Sequence, residues 1–154
     1  MTLDELDRRL LRQLQRDASL SLEALGEEVG LSRNACWRRV RRLEEAGFVK
    51  ARVALLEPRR VNLGLAVFIA VRTNQHSAAW ARAFAAACAA MPEIQGVYRT
   101  SGELDYLIKA RVPDVAAYDA LYQRLIQKID LADVSASFVM EEIKESTELP
   151  LTYV

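Results

Sequence analysis

A chain of 154 residues and 17.3 kDa has room for one ordinary domain or two small ones. Its 51% hydrophobic and 27% charged residues are a globular balance, which excludes a disordered chain or a collagen-like fibre. Basic and acidic residues number 21 each, yet residues 1–60 carry a net +3 and residues 61–154 a net −3, so the front of the chain is the part suited to an anion.

Three helices are expected in the first sixty residues, joined by very short connections. The first runs from about Leu3 to Arg16, with Leu3, Leu6, Leu10, Leu11 and Leu14 recurring at helical spacing. Asp4, Glu5 and Asp7 fall in its first turn, where the helix dipole favours negative charge. Ser21 caps a second helix that buries Leu22, Leu25 and Val29 and stops at Gly30. Ser32 caps a third, which ends near Ala46 and Gly47. Two short helices joined through a glycine make a helix-turn-helix over about residues 22–41.

The third helix carries the strongest chemical signal. Cys36, Val40 and Leu43 form its buried stripe, which leaves Arg33, Asn34, Trp37, Arg38 and Arg41 pointing outward. Five arginines fall within ten residues. Such a helix suits the DNA major groove, where Arg reads guanine and Asn reads adenine while other cations hold phosphates. The plainer alternative is a solvated Arg/Glu face, since Glu44 and Glu45 follow directly. The turn and the two preceding helices favour double-stranded DNA, with Ser32, Arg33, Asn34, Trp37, Arg38 and Arg41 as the contacting residues. Phe48 to Leu55 alternates apolar with basic or small residues and reads as a strand, a wing bringing Lys50 and Arg52 to the DNA backbone. Glu57-Pro58-Arg59-Arg60 breaks that pattern, and a boundary within residues 55–63 divides a DNA-binding domain, 1–60, from a second domain, 61–154.

In the second domain Leu65–Thr73 is a β-rich run that reads as buried on both faces for most of its length. Trp80, Phe84, Cys88 and Met91 recur at helical spacing in a stretch whose nine alanines between residues 78 and 91 are good helix formers. Ile94–Thr100 and Leu104–Val112 are two strands joined by Ser101-Gly102-Glu103, a hairpin signal. Pro113 and Asp114 open a helix with Val115, Tyr118, Tyr122, Leu125 and Ile129 on its apolar face, and Val134–Lys144 is a last strand. The order β-α-β-β-α-β is ferredoxin-like, so the fold class is α+β. One face of such a sheet is left free, and pairing of two copies through it is expected.

Other chemistry finds little support. Apolar runs reach only nine residues, too short to span a bilayer, and the opening residues lack a signal-peptide pattern. Two cysteines without a CxxC, and His76 as the single histidine, argue against a disulfide framework, a zinc site or any other metal or cofactor, and for a reducing cytoplasm. A ferredoxin-like enzyme would need a nucleophile–base pair or a metal cluster, and His76 sits in a polar connection with no cysteine near it. Oxidation of Cys36 as a redox signal, and an architectural protein that coats DNA without specificity, are the remaining alternatives.

Several segments carry a family resemblance: Leu6-Asp7-Arg8-Arg9-Leu10-Leu11, Val29-Gly30-Leu31-Ser32, Arg39-Val40-Arg41-Arg42-Leu43-Glu44, Gly47-Phe48-Val49, Gly102-Glu103-Leu104-Asp105-Tyr106 and Met140-Glu141-Glu142-Ile143-Lys144. In order and spacing they resemble the Lrp/AsnC family of feast/famine transcriptional regulators over essentially the whole chain. The resemblance implies a winged helix-turn-helix joined to an effector-binding and oligomerisation domain. It also implies homodimers that assemble further, as octamers for example, and an amino-acid effector bound between subunits, with cysteine or leucine the first candidates. Ser101, Gly102, Glu103 and Asp105 match the family's Gly-x-x-Asp effector loop. Ser135 and Ser137 on the last strand are candidate hydroxyl partners from a neighbouring subunit. By residue chemistry alone, Gly102 and Asp105 read rather as a tight turn with its capping aspartate, a preference that the resemblance reverses.

Overall fold

The computed structural model describes residues 2–154 and divides into two compact units. One takes the chain as far as Ala54 together with Lys144–Val154; the other is Leu55–Ile143.

The first unit is built on three helices, α1 (Glu5–Arg16), α2 (Leu22–Val29) and α3 (Arg33–Glu45). Each starts where a side chain can accept from the otherwise unpaired N–H groups of its first turn. Asp4 caps α1 and exchanges hydrogen bonds with Asp7 in a capping box, Ser21 accepts from the Ala24 N–H, and Ser32 accepts from the Ala35 N–H. Leu10, Leu11, Leu25, Val29, Cys36, Val40 and Leu43 close around one another, with Leu3 still buried just ahead of the cap. The turn between α2 and α3 is tight. Gly30 is left-handed at φ 75°, and a Cβ on Gly26 would lie 2.6 Å from the Leu31 carbonyl oxygen, so the approach of the two helices requires glycine at position 26.

The expected wing is not formed. Residues 48–57 carry no strand, and Val53, Leu55 and Leu56 are each more than 70% exposed. An alternating pattern becomes a strand only where a neighbour pairs with its N–H and C=O groups, and none does so here among the described residues. The last eleven residues return instead to the helices. The Leu149 backbone and the Gln15 side chain exchange two hydrogen bonds (2.7 and 3.2 Å), Arg16 Nε donates to Glu148 Oε1 at 3.1 Å, and Leu151 packs at the edge of the core.

The second unit opens with a 3-10 turn (Pro58–Val61). It continues as β1 (Leu65–Arg72), α4 (Ala78–Ala89), β2 (Ile94–Arg99), β3 (Tyr106–Val112), α5 (Val115–Lys128) and β4 (Asp133–Phe138). The sheet order is β2-β3-β1-β4 with every neighbour antiparallel, the expected ferredoxin-like arrangement. Val67, Ile69 and Val71 of β1 and Ile108, Ala110 and Val112 of β3 meet Trp80, Phe84 and Cys88 of α4 and Leu121 and Leu125 of α5 in one core. Trp80 stacks on Phe84 at 5.1 Å, Phe84 packs on Tyr106 at 4.7 Å, and the indole N–H of Trp80 donates to the Asp130 carbonyl.

Three expectations change in detail. β1 is buried on one face only: Phe68 is 37% exposed and shares the opposite face with Ala70, Leu107 and Tyr98. α5 inserts Leu121 rather than Val115, which is 58% exposed. The last strand stops at Phe138 instead of continuing to Lys144. Its partner β1 begins at Leu65, so after the Val139 N–H reaches the Ala66 carbonyl the ladder has no further groups to pair. No described helix is long and apolar enough to cross a membrane.

Both cysteines lie in the cores. Burial pushes the Cys88 thiol up to about 11 and raises Cys36 as well. Since the thiolate is the reactive form, the native protein at pH 8 is expected to resist iodoacetamide at both positions and to label only after denaturation, read by mass spectrometry. Rapid labelling of Cys36 in the native state would restore the redox alternative.

Candidate nucleic-acid interface and effector loop

Helix α3 turns its core residues, Cys36, Val40 and Leu43, away from an outer face made of Asn34, Trp37, Arg38 and Arg41. Ser32 stands at its N-cap and Arg33 in its first turn, both exposed. The structure therefore brings six of the eight predicted DNA contacts together on one helix and its cap.

Their freedom differs. Arg41 Nε donates to Glu45 Oε1 at 2.7 Å, and its guanidinium lies 5.5 Å from the Trp37 ring centroid, a cation–π contact that holds both side chains along the face. Among the described residues the side chains of Arg33 and Arg38 make no hydrogen bond or ion pair, so their guanidinium donors are available to a ligand. Beyond Gly47 the last two predicted contacts lie outside any strand. Lys50 is exposed, and Arg52 Nη2 is bonded to Glu44 Oε1 at 2.7 Å, tied back to the end of α3.

Two more arginines of α3 have a role that spacing does not disclose. Arg39 and Arg42 turn towards α1 and meet Asp7, which is 1% exposed. Asp7 was legible only as a first-turn acid. The signal that could have exposed it is its place beside Leu6, Leu10 and Leu11 on the apolar side of α1, where a lone carboxylate needs cationic partners.

The effector-loop residues Ser101, Gly102, Glu103 and Asp105 close the β2–β3 hairpin. Gly102 has φ 111°, a conformation that other residues rarely adopt. Thr100 Oγ1 donates to the Leu104 carbonyl and the Thr100 N–H to that of Asp105, which closes the turn. Glu103 is almost fully exposed, 4.0 Å from Arg72. Asp105 is already engaged: its Oδ2 accepts from the buried Thr73 N–H at 2.8 Å, and its own N–H donates to the Val71 carbonyl. It fastens the hairpin to the end of β1, and one carboxylate oxygen remains for another partner.

Ser135 and Ser137 are not brought to this loop. They lie on β4 opposite Ala70 and Phe68, exposed on the sheet face away from the helices, and β4 stands two strand spacings, about 10 Å, from β3. His76 is exposed, and Ser77 caps α4 by accepting from the Trp80 N–H. Among the described residues no group of three or more His, Cys, Asp and Glu could hold a metal.

The family model for the AsnC-type helix-turn-helix domain matches residues 3–44, and that for the Lrp/AsnC ligand binding domain matches residues 66–149. The DNA-binding transcriptional activator DecR of Escherichia coli K12 is 45% identical over 97% of this chain and 99% of its own. The crystal structure of an AsnC family transcriptional regulator from Agrobacterium tumefaciens superposes with a TM-score of 0.95 at 49% identity, covering 98% of this chain and 99% of that one. An L-Met complex of a transcriptional regulator from Neisseria meningitidis gives a TM-score of 0.94 at 38% identity, covering 99% of both. With a helix-turn-helix unit, a ferredoxin-like unit and these matches along its whole length, the chain belongs to the Lrp/AsnC family of DNA-binding transcriptional regulators, proteins that carry a ligand-binding domain and are not enzymes.

Proposed function

We propose that this regulator reads promoter DNA with α3 and adjusts its binding to a small amino acid held by the Ser101–Asp105 loop. The observation that carries the first half is the outer face of α3, where Asn34 and Arg38 stand opposite the core with their polar groups free to meet base edges. Ser32, Arg33, Trp37 and Arg41 flank them, and Lys50 and Arg52 serve the DNA backbone from the irregular segment that follows. Residues 1–60 form the DNA-binding part, on which 144–154 pack, and the rest of 61–154 forms the effector and assembly part, in a protein of the cytoplasm. Two copies pair through the sheet face that carries Phe68, Tyr98 and Leu107, and further dimers add to an assembly of octamer type.

For the effector, Gly102 lets backbone N–H groups approach a carboxylate, and Glu103 and the free oxygen of Asp105 suit an ammonium. Ser135 and Ser137 are too far across their own sheet to join that loop on one small ligand, so they serve a loop from a neighbouring copy. The relative crystallised with L-Met supports an amino acid as the ligand class.

The test is a thermal-shift screen of the pure protein against the twenty amino acids, cysteine, leucine and methionine first. A ligand at about 100 times its dissociation constant adds roughly 2.7 kcal/mol to the folded state. A rise with one amino acid that also shifts a DNA titration supports the proposal. No rise with any of them overturns the effector half, and leaves a constitutive or architectural DNA binder.

A further inference from the structure

Helix α3 carries five arginines, and the structure divides them into two sets. Arg33, Arg38 and Arg41 lie on or beside the outer face. Arg39 and Arg42 are drawn off it by a carboxylate that belongs to another helix. Arg39 Nη1 lies 2.8 Å from Asp7 Oδ1 and 2.6 Å from Asp4 Oδ2, and Arg42 Nη2 lies 2.9 and 2.7 Å from the two oxygens of Asp7. Asp7 is itself fixed, because its N–H donates to Asp4 Oδ1 at 2.8 Å and its Oδ2 accepts from the Asp4 N–H. A carboxylate 1% exposed cannot give up its cations to solvent without leaving a bare buried charge, so this is a firm clasp rather than a surface ion pair.

We propose that Asp7 is a specificity-determining residue of this regulator, acting by position: it withholds Arg39 and Arg42 from phosphates, so that α3 meets DNA with few non-selective cations and its base-reading side chains decide the affinity. The inference rests on α3 being the helix that meets DNA. Phosphate contacts are blind to sequence and add to every site alike. Arg42 is half exposed, and Arg39 keeps a quarter of its side chain at the surface, so both could reach a phosphate once released. Asn at position 7 keeps the shape and an acceptor for the capping box but removes the charge that holds Arg42 and one of the two that hold Arg39, the other being Asp4.

The experiment compares full-length wild type, D7N and D7N/R39Q/R42Q on a duplex selected from a random pool and on a scrambled duplex, over a series of salt concentrations. D7N is expected to bind the scrambled duplex more tightly, with a salt slope steeper by about one to two, since each added phosphate contact contributes roughly 0.9. Its specificity ratio falls, and the triple variant returns to the wild-type slope. A merely structural role would lower both affinities without steepening the slope, and an unchanged slope in folded D7N overturns the proposal.

Should D7N not fold, R42Q decides the matter, because Arg39 still partners Asp7 there. R42Q is expected to leave the salt slope and the specificity ratio unchanged, while R38Q, which removes a base contact, lowers the specificity ratio. If R42Q lowers the slope by about 0.9 while R38Q lowers the specificity ratio, Arg42 is a phosphate contact and the proposal fails although α3 remains the DNA helix. If R38Q leaves both affinities unchanged and R42Q leaves the slope unchanged, α3 is not the DNA helix and both readings fall together.

Discussion

Replacing Arg38 by Ala is expected to weaken binding to the selected duplex about 5- to 150-fold, the effect of losing roughly 1–3 kcal/mol of base recognition. Arg38 lies one turn beyond Asn34 on the outer face of α3, and among the described residues no carboxylate engages it, so its guanidinium can form a bidentate pair with a guanine edge. Being exposed and unpaired, it contributes little to folding, and the melting temperature should barely change. Fluorescence anisotropy at fixed salt makes the measurement. A base-reading role lowers specific affinity far more than non-specific affinity and relaxes discrimination at one position of the site. Equal losses on both duplexes would make Arg38 a phosphate contact and shift the reading role to Asn34.

The second large effect is expected at Asp105, where two substitutions separate two roles. Asp105→Asn retains an oxygen that accepts from the Thr73 N–H, so the hairpin keeps its attachment to β1 and the protein melts close to wild type. What it loses is the negative charge for the effector's ammonium, and the amino-acid response in thermal shift and DNA titration should vanish. Asp105→Ala removes the acceptor too. Thr73 is only 6% exposed, so its N–H is left unpaired at a cost of about 1–3 kcal/mol. For a chain of this size each kcal/mol moves the melting temperature by roughly 2–4 °C. An effector response that survives in Asp105→Asn overturns the ligand role. An Asp105→Ala protein as stable as wild type overturns the structural one.

These tests also bear on why some features were legible in the residues and others were not. The helix caps were legible because capping is local: Ser21 and Ser32 satisfy N–H groups three residues ahead, and Gly30 and Gly47 supply the left-handed turns that end α2 and α3. The β-α-β-β-α-β order was legible because each element announces itself by its own period. The wing failed because strand formation is not local. Phe48–Leu55 has the alternation, but a strand exists only with a partner, and none of the described residues provides one. The same reason shortened β4, whose apolar pattern outruns the β1 residues available to pair with it.

The outer face of α3 could be predicted from spacing because a helix fixes the directions of Asn34, Trp37, Arg38 and Arg41 relative to Cys36, Val40 and Leu43. The fate of each arginine could not. Whether a guanidinium is free or clasped depends on what another helix places beside it, and Asp7 comes 32 residues before Arg39. Gly26 is of the same kind, since only the approach of the Leu31 carbonyl makes its missing Cβ matter. By itself, then, the sequence determined the three helices and their caps, the ferredoxin-like order and the exposed face of α3, all properties of residues within a few positions of one another. Only the tertiary structure decided that no wing forms, that residues 144–154 return to α1, that Asp105 fastens the hairpin to β1, and that Asp7 holds Arg39 and Arg42, because each of these needs a partner far along the chain.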